Sequence, residues 1–533
     1  MHLRFLLFFL AIQLQLNAQK PSASIDITKY EFEVTLSDST DIIQGHAIIY
    51  FKTLAPFKTI FLDLTNRGSD GKGMTVQGVM ENSSLAYTHA GDSLRIHYEQ
   101  PIATGTEKKI EIYYAGIPRD GLIIGKNRYK HRGFFADHWP DRARNWLPCV
   151  DHLADKAAVN FIVIAPDHFQ VIANGIMTEE TNLGKGMKRT RYEENVPLPT
   201  KVMVIGVADF AVQLSGSVDC TPIYSWIYPE DREKGFFDYA LAGSIVKFFQ
   251  EKIGPYGYKK LANVQSKTRF GGLENANAIF YSESSVTGDR RSEPLLAHEI
   301  AHQWFGNMAT EKEWAHIWLS EGFATYMTNY YMESMYGRDT LVSMLRKQRE
   351  EVIAYSNQSM QSVVDSSVTN LMQLLNTNSY QKGGWILHML RVQLGDAAFF
   401  NGIKNYYAKY AGKNASTEDL QKELEAASGS DLSVFFRQWL YKGGQPDLLL
   451  KWEYNKNIKT ARFSVIQQQE QLFEFPLEIV IQGGAEDGRL TKSLRIKQKE
   501  TNFLIPMAEP PLKVEMDPQV KLLFRGKIVK EAP

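Results

Sequence analysis

Cysteine is nearly missing from this sequence. Among 533 residues only Cys149 and Cys220 occur, and two thiols cannot staple a chain of this length, so burial of apolar surface must hold it together. An oxidising compartment would permit a Cys149–Cys220 bridge, but spacing alone does not establish one. Net charge is missing too. Lys+Arg and Asp+Glu both total 60, which excludes a global field that would draw in nucleic acid or an anionic membrane. Past the first residues there is no long apolar run and no internal repeat, and Gln467–Gln471 is too short to form a low-complexity tract. With 44% hydrophobic and 23% charged residues, the composition argues against a disordered, collagenous or disulfide-scaffold protein.

What is present begins with a leader. Arg4 supplies one positive charge, Phe5–Leu16 is apolar apart from two glutamines, and Leu16-Asn17-Ala18 ends on a small residue. This reads as a secretory signal cleaved after Ala18, since a dozen apolar residues fall short of the ~20 needed to span a bilayer. The expected destination is the periplasm or the exterior. From about residue 25 to 215 the pattern has period two, as in Tyr30, Phe32, Val34 and Leu36 alternating with Glu31, Glu33 and Thr35. That pattern predicts half-buried strands of an antiparallel β domain. Helical periodicity then dominates, over Phe236–Ile253, Pro294–Met308, Ile317–Tyr336 and Gly383–Gln393, with strands at Leu261–Lys267 and Ala276–Tyr281. After Gly443-Gly444-Gln445-Pro446 the period returns to two. The expected architecture is multidomain α+β: a leader over 1–18, a β domain over 19–217, an α/β domain over 218–446 and a small C-terminal β-sandwich over 447–533.

The strongest chemical signal is His298-Glu299-Ile300-Ala301-His302. Residues four apart share a helix face, so both imidazoles can reach one ion, while Glu299 lies about 100° around the axis and can act on water without being a ligand. Trp318-Leu319-Ser320-Glu321 then offers a carboxylate nineteen residues after His302. Two imidazoles and one carboxylate make an open zinc site, with one Zn2+ expected per chain. With 12 His in the chain, chance would produce the five-residue motif about 0.03 times, and about 0.003 times with a fixed later acid. Upstream, Arg269-Phe270-Gly271-Gly272-Leu273-Glu274-Asn275-Ala276 lies between two strand-like runs. Its glycines allow close backbone approach, an edge strand here could pair with an extended peptide, and Glu274 could receive an α-ammonium. The same residues also read as a Gly-Gly turn followed by a surface glutamate.

Together these motifs resemble the aminopeptidase N and leukotriene hydrolase family of gluzincin zinc peptidases, in its bacterial secreted form. The family's Gly-x-Met-Glu-Asn element is similar to Gly271–Asn275, with Leu273 in the methionine position. The segments Ala143–Asp151, Ser379–Gly383 and Trp439–Pro446 resemble further family motifs across nearly the whole mature chain. The resemblance implies a thermolysin-like catalytic domain that hydrolyses the first bond of peptides with a free α-amine. It implies His298, His302 and Glu321 as metal ligands, Glu299 as general base and acid, and Tyr380 as oxyanion stabiliser. It also implies Gly271, Gly272, Glu274 and Asn275 as substrate-binding residues.

Two departures stand out. Where many relatives carry a second amine anchor, four residues before Ala143, this chain has Trp139, and the nearest acid is Asp137. Asp137 is therefore a substitute anchor or an exposed residue. Nearby His131, His138, Asp141, Asp151, His152 and Asp155 fit no compact ligand spacing and read as a salt-bridged surface. Only some 85 residues follow Pro446, so the large helical C-terminal domain of many relatives is absent and a more open site is expected. An endopeptidase, an epoxide hydrolase and a catalytically silent peptide-binding member of the fold are the rival readings. Retention of Glu299 and of every ligand argues against the silent one.

Overall fold

The computed structural model describes residues 24–483 and 488–531, so the leader assigned to residues 1–18 lies outside the described residues. The alternation in Ile25–Thr35 buries Tyr30, Phe32 and Val34 completely. That strand sits inside a seven-stranded sheet ordered 176–184, 187–198, 157–166, 25–35, 43–53, 107–117, 73–80. Most neighbours are antiparallel, but Ile25–Thr35 runs parallel to Ala157–Pro166. Such a pairing requires a long crossover, and the crossover here carries the whole of a three-stranded sheet (57–63, 93–102, 86–90) and part of a four-stranded one (170–173, 205–208, 132–136, 122–126).

The mixed α/β part is built on a five-stranded sheet ordered 211–218, 221–227, 261–266, 278–282, 272–273. Its three central strands are parallel, and Leu261–Ser266 is buried at every position, as a parallel strand covered on both faces must be. The outer strand Ala211–Val218, which precedes the boundary expected at residue 218, belongs to this sheet through its pairing with Thr221–Ile227. Period-two texture marks a strand without saying which sheet will accept it. At the opposite edge, Gly272–Leu273 pairs antiparallel with Phe280 and Tyr281.

The helical patterns are broken where geometry demands it. The run predicted over Phe236–Ile253 is divided into Arg232–Tyr239 and Ala242–Lys252. The run predicted over Pro294–Met308 stops at Ala301, because the chain reverses through Gly306, whose φ is +110°. A β-carbon there would stand 2.3 Å from Ser320 Oγ, so only glycine fits this turn. Trp318–Tyr336, Arg338–Ser356 and Gly383–Leu394 complete the helices around the site.

The C-terminal part is two sheets, 500–506, 460–467, 447–455, 525–530 and 489–496, 475–482, 513–516. It shares one apolar core with the helices, where Trp439 meets Phe473 at 5.1 Å between ring centroids. Among the described residues no helix is long and apolar enough to cross a membrane. Cys149 is buried, Cys220 is exposed, and both are free thiols.

The β domain and the α/β part are pinned by buried cations. Lys201 forms an ion pair with Glu311, both essentially inaccessible, and Lys156 Nζ donates to the carbonyls of Asn307, Met308 and Lys413 at 2.9–3.2 Å. Removing one member of a buried pair leaves the other charged and unpaired. Lys201→Met is therefore expected to cost about 3–5 kcal/mol, read as a lower denaturant midpoint. The double variant Lys201→Met with Glu311→Leu should recover most of that loss.

Candidate active site

The His298 helix starts at Glu293-Pro294, where proline loses no needed N–H, and runs antiparallel to the Glu321 helix. Ser320 lies against His302 at one end, and Tyr331 hydroxyl donates to Glu293 at the other. This packing gathers three donor atoms. His298 Nε2 and His302 Nε2 are 3.2 Å apart, and Glu321 Oε2 is 3.5 Å from the first and 3.3 Å from the second. Donors held about 2.0–2.1 Å from a tetrahedral metal ion stand about 3.3–3.4 Å from one another, so the three residues fit a metal. Glu321 Oε2 has no conventional hydrogen-bond partner, which also suits a ligand atom. His302 Nδ1 lies 3.1 Å from both the Phe305 carbonyl and Ser320 Oγ. A proton donated to that carbonyl leaves Nε2 as the lone-pair face. Among the described residues no other trio of His, Cys, Asp and Glu side chains is gathered in this way.

Gly272 explains how the edge strand meets this helix. A β-carbon at residue 272 would stand 2.3–2.5 Å from the Glu299 carboxylate and its Cγ. The absence of a side chain is what lets Glu299 lie against the strand. Burial pushes the Glu299 carboxyl well above the usual carboxylate range; His302 opposes the rise, and Glu274 and Glu321 add to it. Glu274, 5% exposed, is not a surface residue. Its backbone carbonyl is gripped by Gln303 and Asn307, while its Oε1 has no partner.

Tyr380 enters from the irregular helical turn Asn378–Lys382. That turn approaches because Gly322 and Gly383 touch: a β-carbon on either would be 2.9 Å from the other's Cα. The Tyr380 ring lies nearly parallel to that of His298, with centroids 5.9 Å apart. Burial and then the nearby Glu321, Glu274 and Glu299 carboxylates raise its hydroxyl well above the ordinary tyrosine pKa. Lys382 Nζ, bonded to the Gly444 carbonyl, ties the turn to the start of the C-terminal part.

These side chains share one cleft of about 460 Å³, lined by Gly271, Gly272, Glu274, His298, Glu299, His302, Glu321 and Tyr380 among others. Two sequence expectations are corrected. Asp137 does not line the cleft: it is fully buried, ion-paired with Arg142, and accepts from Arg269 N and Thr268 Oγ1. Its charge is already used, so it is neither an amine anchor nor a surface residue. Asn275 is buried behind the edge strand rather than lining the cleft. The supposed salt-bridged surface is likewise half interior. His138 is buried between the Thr200 carbonyl and Trp146 Nε1, with its pKa lowered to about 4 by burial, and Asp151 is held by Arg144 and Thr200. His131 and Asp141 do make outer ion pairs, with Glu230 and Arg144.

Other lining residues carry no sequence signature of their own: Thr325, Thr328, Asn329, Met344, Gln348 and Leu375. Gln303 and Asn307 also escaped notice, although adjacency to His302 was a usable signal. Trp139 lines the cleft where a polar anchor was sought.

Comparison with known proteins agrees with this geometry. Residues 26–202 match the peptidase M1 N-terminal domain and residues 237–439 the peptidase family M1 domain. The chain belongs to peptidase family M1. It is 26% identical over 500 residues to a leucyl aminopeptidase of Saccharolobus solfataricus, covering 90% of this chain and 61% of that protein. It is also 26% identical over 368 residues to a glutamyl aminopeptidase of Sus scrofa, covering 64% and 39%. Its fold matches the crystal structure of Legionella pneumophila aminopeptidase A in complex with aspartic acid, with a TM-score of 0.82 at 17% identity over 96% of this chain and 60% of that one. The chain thus spans about three-fifths or less of the length of these family M1 relatives.

The Gly272 contact yields a prediction. Gly272→Ala should displace the Glu299 carboxylate without touching the three gathered donor atoms. Turnover of aminoacyl reporter amides is expected to fall about 10²-fold, the scale of a misplacement near 1 Å, with metal content by elemental analysis unchanged.

Proposed function

We propose that this chain is a zinc-dependent aminopeptidase that removes the N-terminal residue of peptides bearing a free α-amine. The carrying observation is the Glu274 carboxylate, buried with an unpartnered oxygen, in the same cleft as the three gathered donor atoms. Among the described residues no lysine or arginine lines that cleft, so a cation to pair with Glu274 would come from outside. A substrate ammonium satisfies Glu274 and fixes the distance from the N-terminus to the bond being broken.

His298, His302 and Glu321 would hold the zinc, which when bound supplies Lewis acidity and lowers the pKa of water toward about 7. Glu299, pressed against Gly272, takes a proton from the attacking water and returns it to the leaving amine. The Tyr380 hydroxyl stays protonated through the neutral range and can donate to the substrate carbonyl oxygen as negative charge develops there. Gly272–Leu273 ends its sheet, so its outer edge can offer backbone groups to an extended substrate. An endopeptidase would need no buried, unpartnered carboxylate at this end of the cleft. The leader over residues 1–18 supports export to the periplasm or the exterior.

Glu299→Gln should keep zinc and lose ~10²–10⁴-fold in kcat, the scale of general acid–base catalysis. His298, His302 or Glu321 changed to Ala should lose the metal; stoichiometric zinc in such a variant removes that residue from the ligand set.

The amine anchor is tested separately. Glu274→Ala is expected to lower kcat/KM for free-amine substrates about 10- to 150-fold, equivalent to a charge-assisted contact of roughly 1.5–3 kcal/mol. N-acetylated peptides should be poor substrates before and after the change. Asp137→Ala should instead reduce thermal stability without discriminating free from blocked amines. If neither variant discriminates them, the exopeptidase assignment is wrong.

A further inference from the structure

The cleft has a direction. Residues 271 to 274 run alongside the His298 helix in the same sense. A side chain at Gly271 would begin 3.8 Å from Leu295, Gly272 abuts Glu299, and the Glu274 carbonyl is held by Gln303 and Asn307 beyond the helix end. The Glu321 helix runs the other way, so Thr325, Thr328 and Asn329 lead toward the Leu295 end. Asn329 and Gln348 pair their amides there at 2.9–3.0 Å. A peptide anchored at Glu274 therefore leaves its first side chain at one end of the cleft and extends past uncharged polar residues at the other.

Trp139 lines the same cleft as Glu274. Its ring meets Trp314 edge-on at 5.6 Å, and Trp314 lies in the short turn just before the Glu321 helix. On its other side it meets Phe270 edge-on at 6.2 Å. Braced by two rings and 2% exposed, the indole cannot swing aside as a surface side chain would. Phe270 and Leu273 complete an apolar lining. The acidic residues of the cleft lining are Glu274, Glu299 and Glu321, and among the described residues no lysine or arginine lines it.

We propose, resting on the aminopeptidase reading, that Trp139 is a specificity-determining residue. It walls the subsite for the substrate's first side chain and selects uncharged residues of small to medium size over bulky aromatic and acidic ones. Bulky rings meet a wall that does not yield; acidic side chains meet an apolar lining that offers no lysine or arginine to pair with. A size mismatch in an apolar pocket is worth about 10- to 200-fold.

The test is kcat/KM for alanyl, leucyl, phenylalanyl and glutamyl reporter amides with the zinc-loaded full chain. The wild-type protein should favour alanyl or leucyl over phenylalanyl and glutamyl by about 10-fold or more. Trp139→Ala should raise the phenylalanyl-to-alanyl ratio by at least about 10-fold and leave the glutamyl amide poor. Phe270→Ala, at a half-buried ring less costly to remove, should move the ratio the same way and decides the matter if Trp139→Ala does not fold. Equal wild-type rates on alanyl and phenylalanyl amides, or an unchanged ratio in folded, zinc-replete variants, would overturn the wall while the aminopeptidase reading stands. A wild-type protein that cleaves none of the four overturns both.

Discussion

Glu274, Glu299 and Glu321 converge on one cleft whose lining, among the described residues, contains two imidazoles and no lysine or arginine. Carboxylates removed from water must be neutralised, paired or ligated. Glu299 answers this constraint with a raised pKa, and Glu321 by lying 3.3–3.5 Å from the two histidines. What remains is the Glu274 Oε1, which has no partner; the three gathered donors around Glu321 are compatible with a metal ion. Much of the surrounding structure serves to keep the three acids close.

Close approach is secured by residues without side chains and by cations without water. Gly272 lets the edge strand touch Glu299, and contact between Gly322 and Gly383 lets the Tyr380 turn reach the helix that carries Glu321. A methyl group at either crossing would separate elements whose chemistry depends on contact. Lys382 ties the Tyr380 turn to Gly444, and Lys201 with Glu311 ties the β domain to the segment between the two motif helices. The β domain is thus more than an appendage, since Trp139 projects from it into the cleft.

Asp137 and Trp139 show how a small displacement along the chain changes chemistry. Both follow the strand Arg132–Ala136. Asp137 is drawn inward by Arg142 and by the backbone of Arg269, and so helps to shape the loop that leads into Gly271 and Gly272. Trp139 faces the cleft with no formal charge. Asp137 is thereby spent on Arg142, while Trp139 adds an aromatic surface to the cleft lining that contains Glu274.

The local parts of this protein were legible from its sequence, because their physics is local. Four-residue spacing on a helix brings His298 and His302 to one face, whatever lies elsewhere, and Glu321 falls at the start of the next apolar helix. Alternation in Ile25–Thr35 marks a half-buried strand for the same reason. Partners distant in the chain were not legible. Sequence could not say that Ile25–Thr35 pairs with Ala157–Pro166, that Ala211–Val218 joins the second sheet, or that Arg142 would claim Asp137. Nor could it show that Gly272 is glycine because Glu299 occupies the space of its side chain, or that Thr328 and Gln348 share a cleft with His298. Those relations arise only when elements pack, since excluded volume and charge pairing act between atoms that the folded chain, and not its order, makes neighbours.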